Sequence, residues 1–578
     1  MSLTGAMYIG QSGLAAAQIG LQIAGNNIAN ASTPGYSRQV GILSPIRGDS
    51  SLPGMNVGRG VLMKDIRRQV DEALQQRLWG ASSDESAARA YQSILSQVES
   101  ALGELGGNDL TSEMTAFFRT WSERANQTQA NGTVVQQGQK LADFLRRLRS
   151  DLLGQRQSLD SGLGAQVERA NQLIGSIADL NGAIADAEVT GGTASSLRDQ
   201  RDQAITDLSQ LMDVHVVEQS RQGVDVLVGS IPVVSAGTPH PIELRRVVED
   251  GRVSAKVVIA RDAQELDVSS GQIGAALSGR TDVIDSVLTT LDTVAAQLAF
   301  EINKLHATGT NLQGLTGTTG TVPLTLAERT LALNDPDNQS IANLPYGATN
   351  GGFDVIVRER ATGATHTVRI AVDLDGVDGT GQPGTGDDAS AETIRAALDA
   401  IAGLSASFTP DGKLREDADA GFDFSFADDS SGAVAVLGLN SFFTGTDAGS
   451  LQVRSDLLDD PSLLTTGRMI DGQFVENATA LRIAQLQDQN LAALGGRTIS
   501  GMWQDSAQGV GVQVAGARTA LDAASTVRQS LDTQRAAISG VSIDEESVNL
   551  LNFQRMYQAS AKVISVADEM TQILIQLV

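Results

Sequence analysis

Cysteine is absent from the 578 residues of this chain, and aromatic residues make up only 4% of them. The absence of cysteine excludes disulfides, thiolate zinc sites, iron–sulfur clusters and cysteine nucleophiles. With so few aromatic rings, the cores have to be built mainly from alanine, leucine, valine and isoleucine. Hydrophobic residues still reach 41%, and 60 glycines add to them, a balance typical of soluble globular proteins. The length predicts about three to five domains of roughly 100–200 residues each.

Positive charge is also scarce, because 42 Lys and Arg stand against 68 Asp and Glu, for a net charge of −26. This balance argues against nucleic-acid binding, whose usual mark is a basic face. The acidity is concentrated in residues 371–460, which hold 18 acidic and 4 basic residues. No apolar run approaches the length of a membrane span, so none is predicted. No Lys or Arg precedes Arg38, so the positively charged start of a secretory signal is not expected.

No catalytic or cofactor-binding constellation emerges from the sequence. The four histidines, His215, His240, His306 and His366, form no metal-binding motif, and surface or strand-packing roles are the default for them. Residues 379–384 match G-x-G-x-x-G formally, but proline and acidic residues there indicate a flexible acidic loop and not a dinucleotide site. We therefore predict no enzyme, no cofactor and no metal requirement.

Three aspartates of the same loop, Asp373, Asp375 and Asp378, raise the question of calcium. An EF-hand loop needs ligands at positions 1, 3 and 5, glycine at position 6 and glutamate at position 12. Counting from Asp373, position 5 is Val377, position 6 is Asp378 and position 12 is Gly384. The EF-hand pattern fails, so a solvated acidic loop is the default interpretation, and weak calcium binding stays open.

The two ends of the chain carry the clearest pattern. Residues 1–37 contain no charged residue and no histidine. Apolar or small residues recur there in steps of three and four, at Met7, Gly10, Leu14, Ala17, Leu21, Ala24 and Ile28. The C-terminus repeats these steps at Met556, Ala559, Val563, Val566, Met570, Ile573 and Leu577. Heptad spacing predicts a helix over residues 5–30 and another at the C-terminus, each with one apolar seam. The matching seams predict that the two helices pair as a coiled-coil-like stalk, with apolar surface left bare.

Between the ends, helical and β-type periodicities alternate. They predict an elongated α+β multidomain protein with a long-helix bundle and β-rich outer domains. The predicted parts are residues 1–66 as an N-terminal helix and connector, 67–213 with 271–310 and 456–540 as a helical domain, 214–270 as a small β domain, 311–455 as an inserted acidic β-rich domain, and 541–578 as a C-terminal helix that joins the first part.

Motifs at both ends resemble those of one family. The N-terminal motifs are Ser12-Gly13-Leu14, Asn26-Asn27-Ile28-Ala29-Asn30 and Thr33-Pro34-Gly35-Tyr36-Ser37-Arg38-Gln39. The C-terminal motifs are Gly540-Val541-Ser542-Ile543-Asp544-Glu545-Glu546, Leu550-Leu551, Phe553-Gln554 and residues 557–564. Together they are similar to the terminal signatures of bacterial flagellar rod, hook and hook-associated proteins. The Thr-Pro-Gly-Tyr-Ser-Arg form, the Asp-Glu-Glu start and the length resemble the hook-associated members most.

The resemblance implies a structural protein at the junction between flagellar hook and filament, required for filament assembly and swimming motility. It implies further copies of the chain as partners, in an open helical or ring assembly. It also implies hook protein below, the next hook-associated protein or flagellin above, and an export chaperone that binds the C-terminal helix region. The implied location is extracellular, reached by type III export without a cleavable signal peptide.

The resemblance further implies that assembly of the axial core depends on residues at both ends. They are Leu14, Leu21, Asn26, Asn27, Ile28, Asn30, Thr33, Pro34, Gly35 and Tyr36 near the N-terminus, and Leu550, Gln554, Tyr557, Ala559, Val563, Val566, Met570, Ile573 and Leu577 near the C-terminus. The asparagines are expected to hydrogen-bond backbone or neighbouring subunits, with simple capping of the helix end as the alternative. Pro34 and Gly35 would set a turn, with Tyr36 packed beside it.

Two rival functions and one dynamic property complete the expectations. A hook or distal-rod protein is the rival within the family, and a secreted enzyme or adhesin with its activity in residues 311–455 is the rival outside it. Because an isolated two-helix stalk is marginally stable, we expect residues 5–30 and 550–577 to be disordered or mobile in the monomer. They would become ordered only in the assembly.

Overall fold

The computed structural model describes residues 3–47, 58–103, 109–127, 130–189, 192–219, 223–249, 252–377, 380–470 and 473–576. Two residues singled out by the sequence, Leu577 of the C-terminal seam and Asp378 of the acidic loop, lie outside these ranges.

Helices, several of them long, dominate the described residues. They are α1 (Leu3–Ala29), α2 (Glu72–Leu102), α3 (Leu110–Ala125), α4 (Asn131–Glu188), α5 (Ser195–Leu211), α6 (Gly271–Ser278), α7 (Ser286–Ala307), α8 (Gln339–Ala342), α9 (Ala391–Asp399), α10 (Ala433–Val436), α11 (Ser455–Asp459), α12 (Ala478–Gln485), α13 (Ile499–Ser539) and α14 (Ile543–Gln576). The helix predicted over residues 5–30 is confirmed as α1.

The strands pair antiparallel in small sheets. They are β1 (Gln39–Pro45), β2 (Val61–Arg68), β3 (His215–Gln219), β4 (Gly223–Val228), β5 (Ile231–Ser235), β6 (Thr238–Pro239), β7 (Ile242–Glu249), β8 (Arg252–Ile259), β9 (Gly317–Thr319), β10 (Gly351–Glu359), β11 (Thr365–Val372), β12 (Leu404–Phe408), β13 (Leu414–Ala418), β14 (Phe422–Ala427), β15 (Phe443–Thr444), β16 (Gln452–Val453), β17 (Arg468–Ile470) and β18 (Gln473–Val475). The sheet orders are β1-β2, β3-β4-β5-β6, β7-β8, β11-β10-β14, β12-β13-β9, β15-β16 and β17-β18. The α+β multidomain class is thereby confirmed.

The chain forms two compact units. The first comprises residues 1–94, 158–281 and 515–578, and the second comprises residues 95–157 and 282–514. Three of the four unit boundaries fall inside α2, α4 and α13, and the fourth falls in the π-helical turn between α6 and α7, so that a continuing helical period gives no sign of a boundary. The five parts predicted from the sequence do not coincide with these units, and that finer division stays a prediction.

The core of the first unit joins helices to a small β sheet. Leu173 and Ile177, on the apolar face predicted for α4, are buried against residues of α5 and of the sheet β3-β4-β5-β6. Strand β4 buries alternate residues, as the period-two pattern requires. Trp79 joins this core, and its indole nitrogen donates to the Thr206 hydroxyl at 3.0 Å. Trp79 is thus a packing residue of this core.

The core of the second unit contains a buried histidine. His306 of α7 is fully buried, its Nδ1 lies 2.8 Å from the Asn440 carbonyl, and its Nε2 accepts from the Thr465 backbone N–H at 3.3 Å. Burial lowers the His306 pKa from its ordinary value to about 3, so the ring is neutral. The ring lies beside Phe442. His306 is therefore a helix-core residue and not the surface or strand histidine that we expected.

A second buried titratable group of this unit is Glu416 on β13. Its side chain is fully buried, and neither carboxylate oxygen has a hydrogen-bond partner among the described residues. Burial, together with the nearby charges of Asp399 and Asp417, raises the Glu416 pKa to about 8. The carboxyl group is therefore protonated near neutral pH.

One helical segment among the described residues, Gly271–Ala307, is long and apolar enough to cross a membrane. It comprises α6, a π-helical turn and α7. Within its most apolar window, 67% of the residues are buried inside the protein. Protein contacts therefore cover most of its apolar surface, as in the core helix of a globular domain.

Candidate assembly site of the terminal helices

Helices α1 and α14 lie against each other, as the matching seams predicted. Five of the 27 residues of α1 are glycine, which costs about 1 kcal/mol per residue relative to alanine in a helix interior. Packing therefore has to hold α1 in its helical form. The glycines permit that packing, because a Cβ on Gly10 would lie 2.7 Å from Ile564 Cγ1 and one on Gly20 would lie 2.4 Å from the Phe553 ring.

The face of α1 that contacts α14 consists of small residues. Gly10, Gly13, Ala17, Gly20 and Ala24 are buried there. The predicted seam residues Leu14, Leu21 and Ile28 lie half-buried beside this stripe. Gly10, Ala17 and Ala24 of the predicted seam therefore lie at the centre of the contact and its larger residues beside it, since α14 approaches too closely for a large side chain at the centre.

Another face of α1 packs against the hairpin β1–β2. The Ser12 hydroxyl accepts a hydrogen bond from the Val61 backbone N–H at 3.2 Å. Ile23 is buried, and its Cδ1 lies 3.0 Å from the position that a Cβ on Gly41 would take. The hairpin and α14 together cover about half of the circumference of α1. Its remaining face exposes the uncharged residues Gln11, Ala15, Gln18, Gln22 and Asn26.

Among the described residues of the predicted C-terminal seam, Met556 is half-buried, whereas the others are exposed and lie off the face that α14 turns towards α1. Helix α14 faces α1 with Phe553, Ser560, Ile564 and Ala567, which are half-buried or buried. The seam residues lie roughly a third of a turn away around the helix, at 100° per residue. Gln554, Tyr557 and Ala559 are exposed as well, and Leu550 is half-buried. The helices thus pair as predicted, but through residues adjacent to the predicted seam.

The displaced seam forms an exposed apolar row on α14. Of the predicted seam, Val563 is 42% exposed, Val566 41%, Met570 54% and Ile573 58%, and the neighbouring Leu574, which is not part of that seam, is 56% exposed. We call these five residues the apolar row. A helix whose apolar stripe meets water on one side while another side is packed has a second surface suited to a partner.

Asn27 is the polar centre of the pairing. It is fully buried, and its Nδ2 donates to the Gln39 carbonyl at 2.9 Å and to the Glu546 carboxylate at 3.1 Å. Its Oδ1 accepts from the Gln39 backbone N–H at 3.0 Å and from the Tyr36 hydroxyl at 2.8 Å. This side chain of α1 is thus linked to β1, to the Tyr36 hydroxyl and to α14. Both its amide nitrogen and its oxygen are engaged in hydrogen bonds.

Glu546, in the first turn of α14, forms the main ion pair of the site, with Arg38. Its side chain is 3% exposed, and it accepts from Arg38 Nε at 2.9 Å and from the Arg38 NH2 group at 2.8 Å. Arg38 also reaches Glu545 at 2.9 Å, and its backbone N–H donates to the Ser539 carbonyl at 3.0 Å. Two guanidinium contacts and the Asn27 amide compensate the buried carboxylate. We call Asn27, Tyr36, Arg38 and Glu546 the node.

Tyr36 lies in the same environment. Burial, followed by the charges of Asp199 and Glu546, raises the Tyr36 pKa to about 12. The hydroxyl therefore stays protonated and serves as a donor to Asn27. Tyr36 does more than pack beside the turn, which is the role that the sequence suggested.

The turn after α1 is held by local contacts. The Asn30 side-chain amide donates to the Asn26 carbonyl at 3.0 Å and to its Oδ1 at 2.9 Å, and the Thr33 hydroxyl donates to Asn30 Oδ1 at 3.2 Å. Pro34 is exposed. Gly35 has φ +79°, in the left-handed region, and a Cβ there would lie 2.9 Å from Gln203 Oε1. Asn26 and Asn30 therefore cap the helix end, whereas Asn27 joins elements distant in the sequence.

Sequence reasoning missed two kinds of residue at this site. Glu546 belongs to the C-terminal motif, but the motif does not identify it as the partner of Arg38. A signal was present, because Arg38 is the first charged residue of the chain and needs a carboxylate. Of the close-packed glycines, Gly10 belongs to the predicted seam and Gly13 to a motif, whereas Gly20 belongs to neither, because spacing alone does not reveal which side chain approaches a glycine.

Three family models match the chain. The model of the helical domain of flagellar hook-associated protein FlgK matches residues 95–320. The model of the C-terminal region of flagellar basal body rod FlgEFG proteins matches residues 533–577. The model of the flagella basal body rod protein matches residues 7–36. The last two matches together contain α14 and most of α1. Three of the four node residues lie in them.

Two curated relatives match almost the whole chain. Flagellar hook-associated protein 1 of Escherichia coli strain K12 is 25% identical over 588 residues, which cover 98% of each chain. Flagellar hook-associated protein 1 of Bacillus subtilis strain 168 is 23% identical over 572 residues, or 96% of this chain and 95% of the relative. Among solved structures, the flagellar hook junction protein FlgK from Burkholderia pseudomallei aligns with a TM-score of 0.48 and 14% identity, over 80% of this chain and 100% of that one.

Proposed function

Because the chain belongs to the family of flagellar hook-associated protein 1, we propose that it forms the junction between hook and filament. The family gives it a structural role in the bacterial flagellum. In our proposal the chain polymerises at the distal end of the hook through α1 and α14, is required for filament assembly and swimming motility, and has no enzymatic activity.

The apolar row of α14 is the observation that carries this proposal. Full burial of a valine, isoleucine, leucine or methionine side chain contributes about 1.5–3 kcal/mol, and in one copy all five residues of the row are 41–58% exposed. Neighbouring copies that cover the row would gain roughly half of this free energy per side chain, since each is already about half-buried. The uncharged outer face of α1 supports the same interpretation, because it can be buried without leaving a charge unpaired.

The proposed assembly is an array and not a closed dimer. A contact between the apolar row of one copy and a different surface of the next is heterologous, and such contacts generate rings or open helical arrays. Hook protein would lie below this array, and the next hook-associated protein or flagellin above it. We propose an extracellular location reached through flagellar export, with an export chaperone that holds the C-terminal helix region before assembly.

Electron microscopy of a deletion strain tests the proposed junction, with flagellin assayed in the culture medium. We expect bare hooks and flagellin lost to the medium, and restoration by the intact gene. Normal filaments in the deletion strain would contradict the proposal. Immunogold labelling of purified hook–basal bodies separates the rival role: label confined to the distal end of the hook supports a junction protein, whereas label along the hook or rod indicates a hook or distal-rod protein.

A double variant tests the apolar row itself. Val566→Glu with Ile573→Glu places two charges on side chains that are 41% and 58% exposed in one copy, so the thermal midpoint of the monomer should change little. Assembly should fail, because these charges would be buried without partners. Ser565→Glu is the matched control, since Ser565 is exposed on the other side of α14. Filaments of normal length with the double variant would show that the row is not an assembly contact.

A further inference from the structure

A group of three aspartates lies between the end of β11 and the start of α9. One carboxylate oxygen each from Asp373, Asp375 and Asp388 lies within 4.8 Å of the other two. The segments are joined by a hydrogen bond from the Ala389 backbone N–H to the Asp373 carbonyl, at 2.6 Å. The group therefore combines residues from two segments of the chain, which a linear motif does not reveal.

Asp388 is the buried member of the group. Asp388 is buried, with only 5% of its surface exposed, whereas Asp373 and Asp375 lie at the protein surface. Its Oδ2 accepts a hydrogen bond from Asn334 Nδ2 at 2.7 Å, but its Oδ1 is buried and has no hydrogen-bond partner among the described residues. A buried carboxylate oxygen without a donor is costly, and two further carboxylates nearby add repulsion. A cation at the group would remove both costs.

We propose that Asp373, Asp375 and Asp388 bind a calcium ion. The donors are carboxylate oxygens, which hard divalent cations prefer over softer metals. Calcium accepts six to eight oxygen ligands in flexible geometry, so loop carbonyls and water can complete the shell, whereas magnesium demands a near-ideal octahedron. The site is not an EF-hand, because its third carboxylate comes from Asp388, which lies beyond the twelve residues of an EF-hand loop that starts at Asp373.

The affinity should be modest. Three carboxylates without a dedicated cage correspond to dissociation constants of about 10⁻⁴–10⁻³ M, the range of extracellular calcium modules. Binding at such a site would tie the loop after β11 to the start of α9, and would raise the thermal midpoint of the full chain as calcium is added.

Isothermal titration calorimetry of the EDTA-treated, dialysed full chain with CaCl₂ tests the proposal. We expect saturable binding to one site, weakened at least about tenfold in Asp388→Asn and in Asp375→Asn. Because Asp375 is exposed, its variant should fold even if the buried substitution disturbs the loop. Asp387→Asn is the matched control, because Asp387 is exposed and is not among the three grouped aspartates, and it should bind as the wild type does.

Thermal unfolding gives a second, independent readout. In EDTA, Asp388→Asn should unfold at the wild-type temperature or above it, because the uncompensated charge is gone, and calcium should no longer raise its midpoint. The absence of saturable binding up to about 10 mM calcium would overturn the proposal. Equal affinity in wild type, Asp388→Asn and Asp375→Asn would do the same, since it would indicate nonspecific binding to the acidic surface. Magnesium binding as tight as that of calcium would overturn the choice of ion.

Discussion

Replacement of Arg38 by alanine should weaken the attachment of α14 to the N-terminal hairpin. Arg38 is 18% exposed and Glu546 is 3% exposed, and the two are joined by guanidinium contacts of 2.8 and 2.9 Å. In Arg38→Ala the donors that remain to the Glu546 carboxylate among the described residues are two amides, Asn27 at 3.1 Å and Asn549 at 3.3 Å. The variant therefore leaves a buried charge without its counter-ion.

The expected loss is about 3–5 kcal/mol, the usual cost of removing one partner from a buried ion pair. About 1.4 kcal/mol corresponds to a factor of ten in an opening equilibrium, so hydrogen exchange should accelerate about 10²- to 10⁴-fold where opening breaks the node. The affected amides should be those of the hairpin β1–β2 and of the first two turns of α14. The effect saturates once these segments are fully open.

Hydrogen exchange and urea unfolding measure this loss against two controls. Arg67→Ala removes a cation from the same hairpin, but Arg67 is 63% exposed in its pair with Asp65, and such surface pairs contribute about 0–1 kcal/mol. Arg38→Met combined with Glu546→Met replaces the buried pair by apolar groups and should recover most of the stability. An Arg38→Ala variant that exchanges and unfolds like Arg67→Ala would refute the view that the node holds α14 in place.

Three further predictions concern both units. The Glu416 pKa is raised to about 8 in the folded protein, from about 4.5 in the unfolded chain, so its contribution to stability is full below about pH 4.5 and is lost as the pH rises through 8. At alkaline pH the free energy of unfolding of Glu416→Gln should therefore exceed that of the wild type by about 2–5 kcal/mol. Urea titrations at several pH values check this, with exposed Glu476→Gln as a control that should not respond. In the assembled protein, where α1 and α14 are ordered, Gly20→Ala should destabilise their pairing by about 1–3 kcal/mol through overpacking, whereas Gly25→Ala, with nothing within 4 Å of the added Cβ, should stabilise α1 by about 0.5–1 kcal/mol; the thermal midpoint should fall for the first variant and rise for the second. In dilute monomer, α1 and the C-terminal two thirds of α14 should exchange their amides rapidly and become protected only on assembly, so strong protection in the monomer would contradict the expected disorder.

Periodicity predicted the regular elements well where one pattern runs without interruption. Period-two patterns in residues 353–359, 365–372 and 422–427 predict strands, and these are β10, β11 and β14, within two residues at each end. A helical pattern near residues 392–401 predicts a helix, which is α9. Each of these segments lies against the core of the second unit, so local pattern and tertiary burial select the same structure.

Long-range polar contacts could not be predicted in the same way. Asn27 and Glu546 are 519 residues apart in the sequence, and neither residue type identifies its partner. Asp388 illustrates the same limit, because its proximity to Asp373 depends on how the chain returns from the acidic loop to α9. A loop carries no period that fixes its path, so only the folded backbone brings such side chains together.

The displaced seam of α14 shows why periodicity alone leaves a contact unassigned. A heptad row indicates which side of a helix must be covered, but it does not indicate which surface of the same or another molecule covers it. The row Val563–Ile573 has the stronger apolar pattern, yet α1 packs against Phe553, Ser560 and Ile564. Small residues on α1 allow the closest approach on that second face, and the Arg38–Glu546 pair anchors the first turn of α14 beside it. The apolar row consequently stays exposed in one copy, and the row that was wrong as an intramolecular contact is the surface that we propose for assembly.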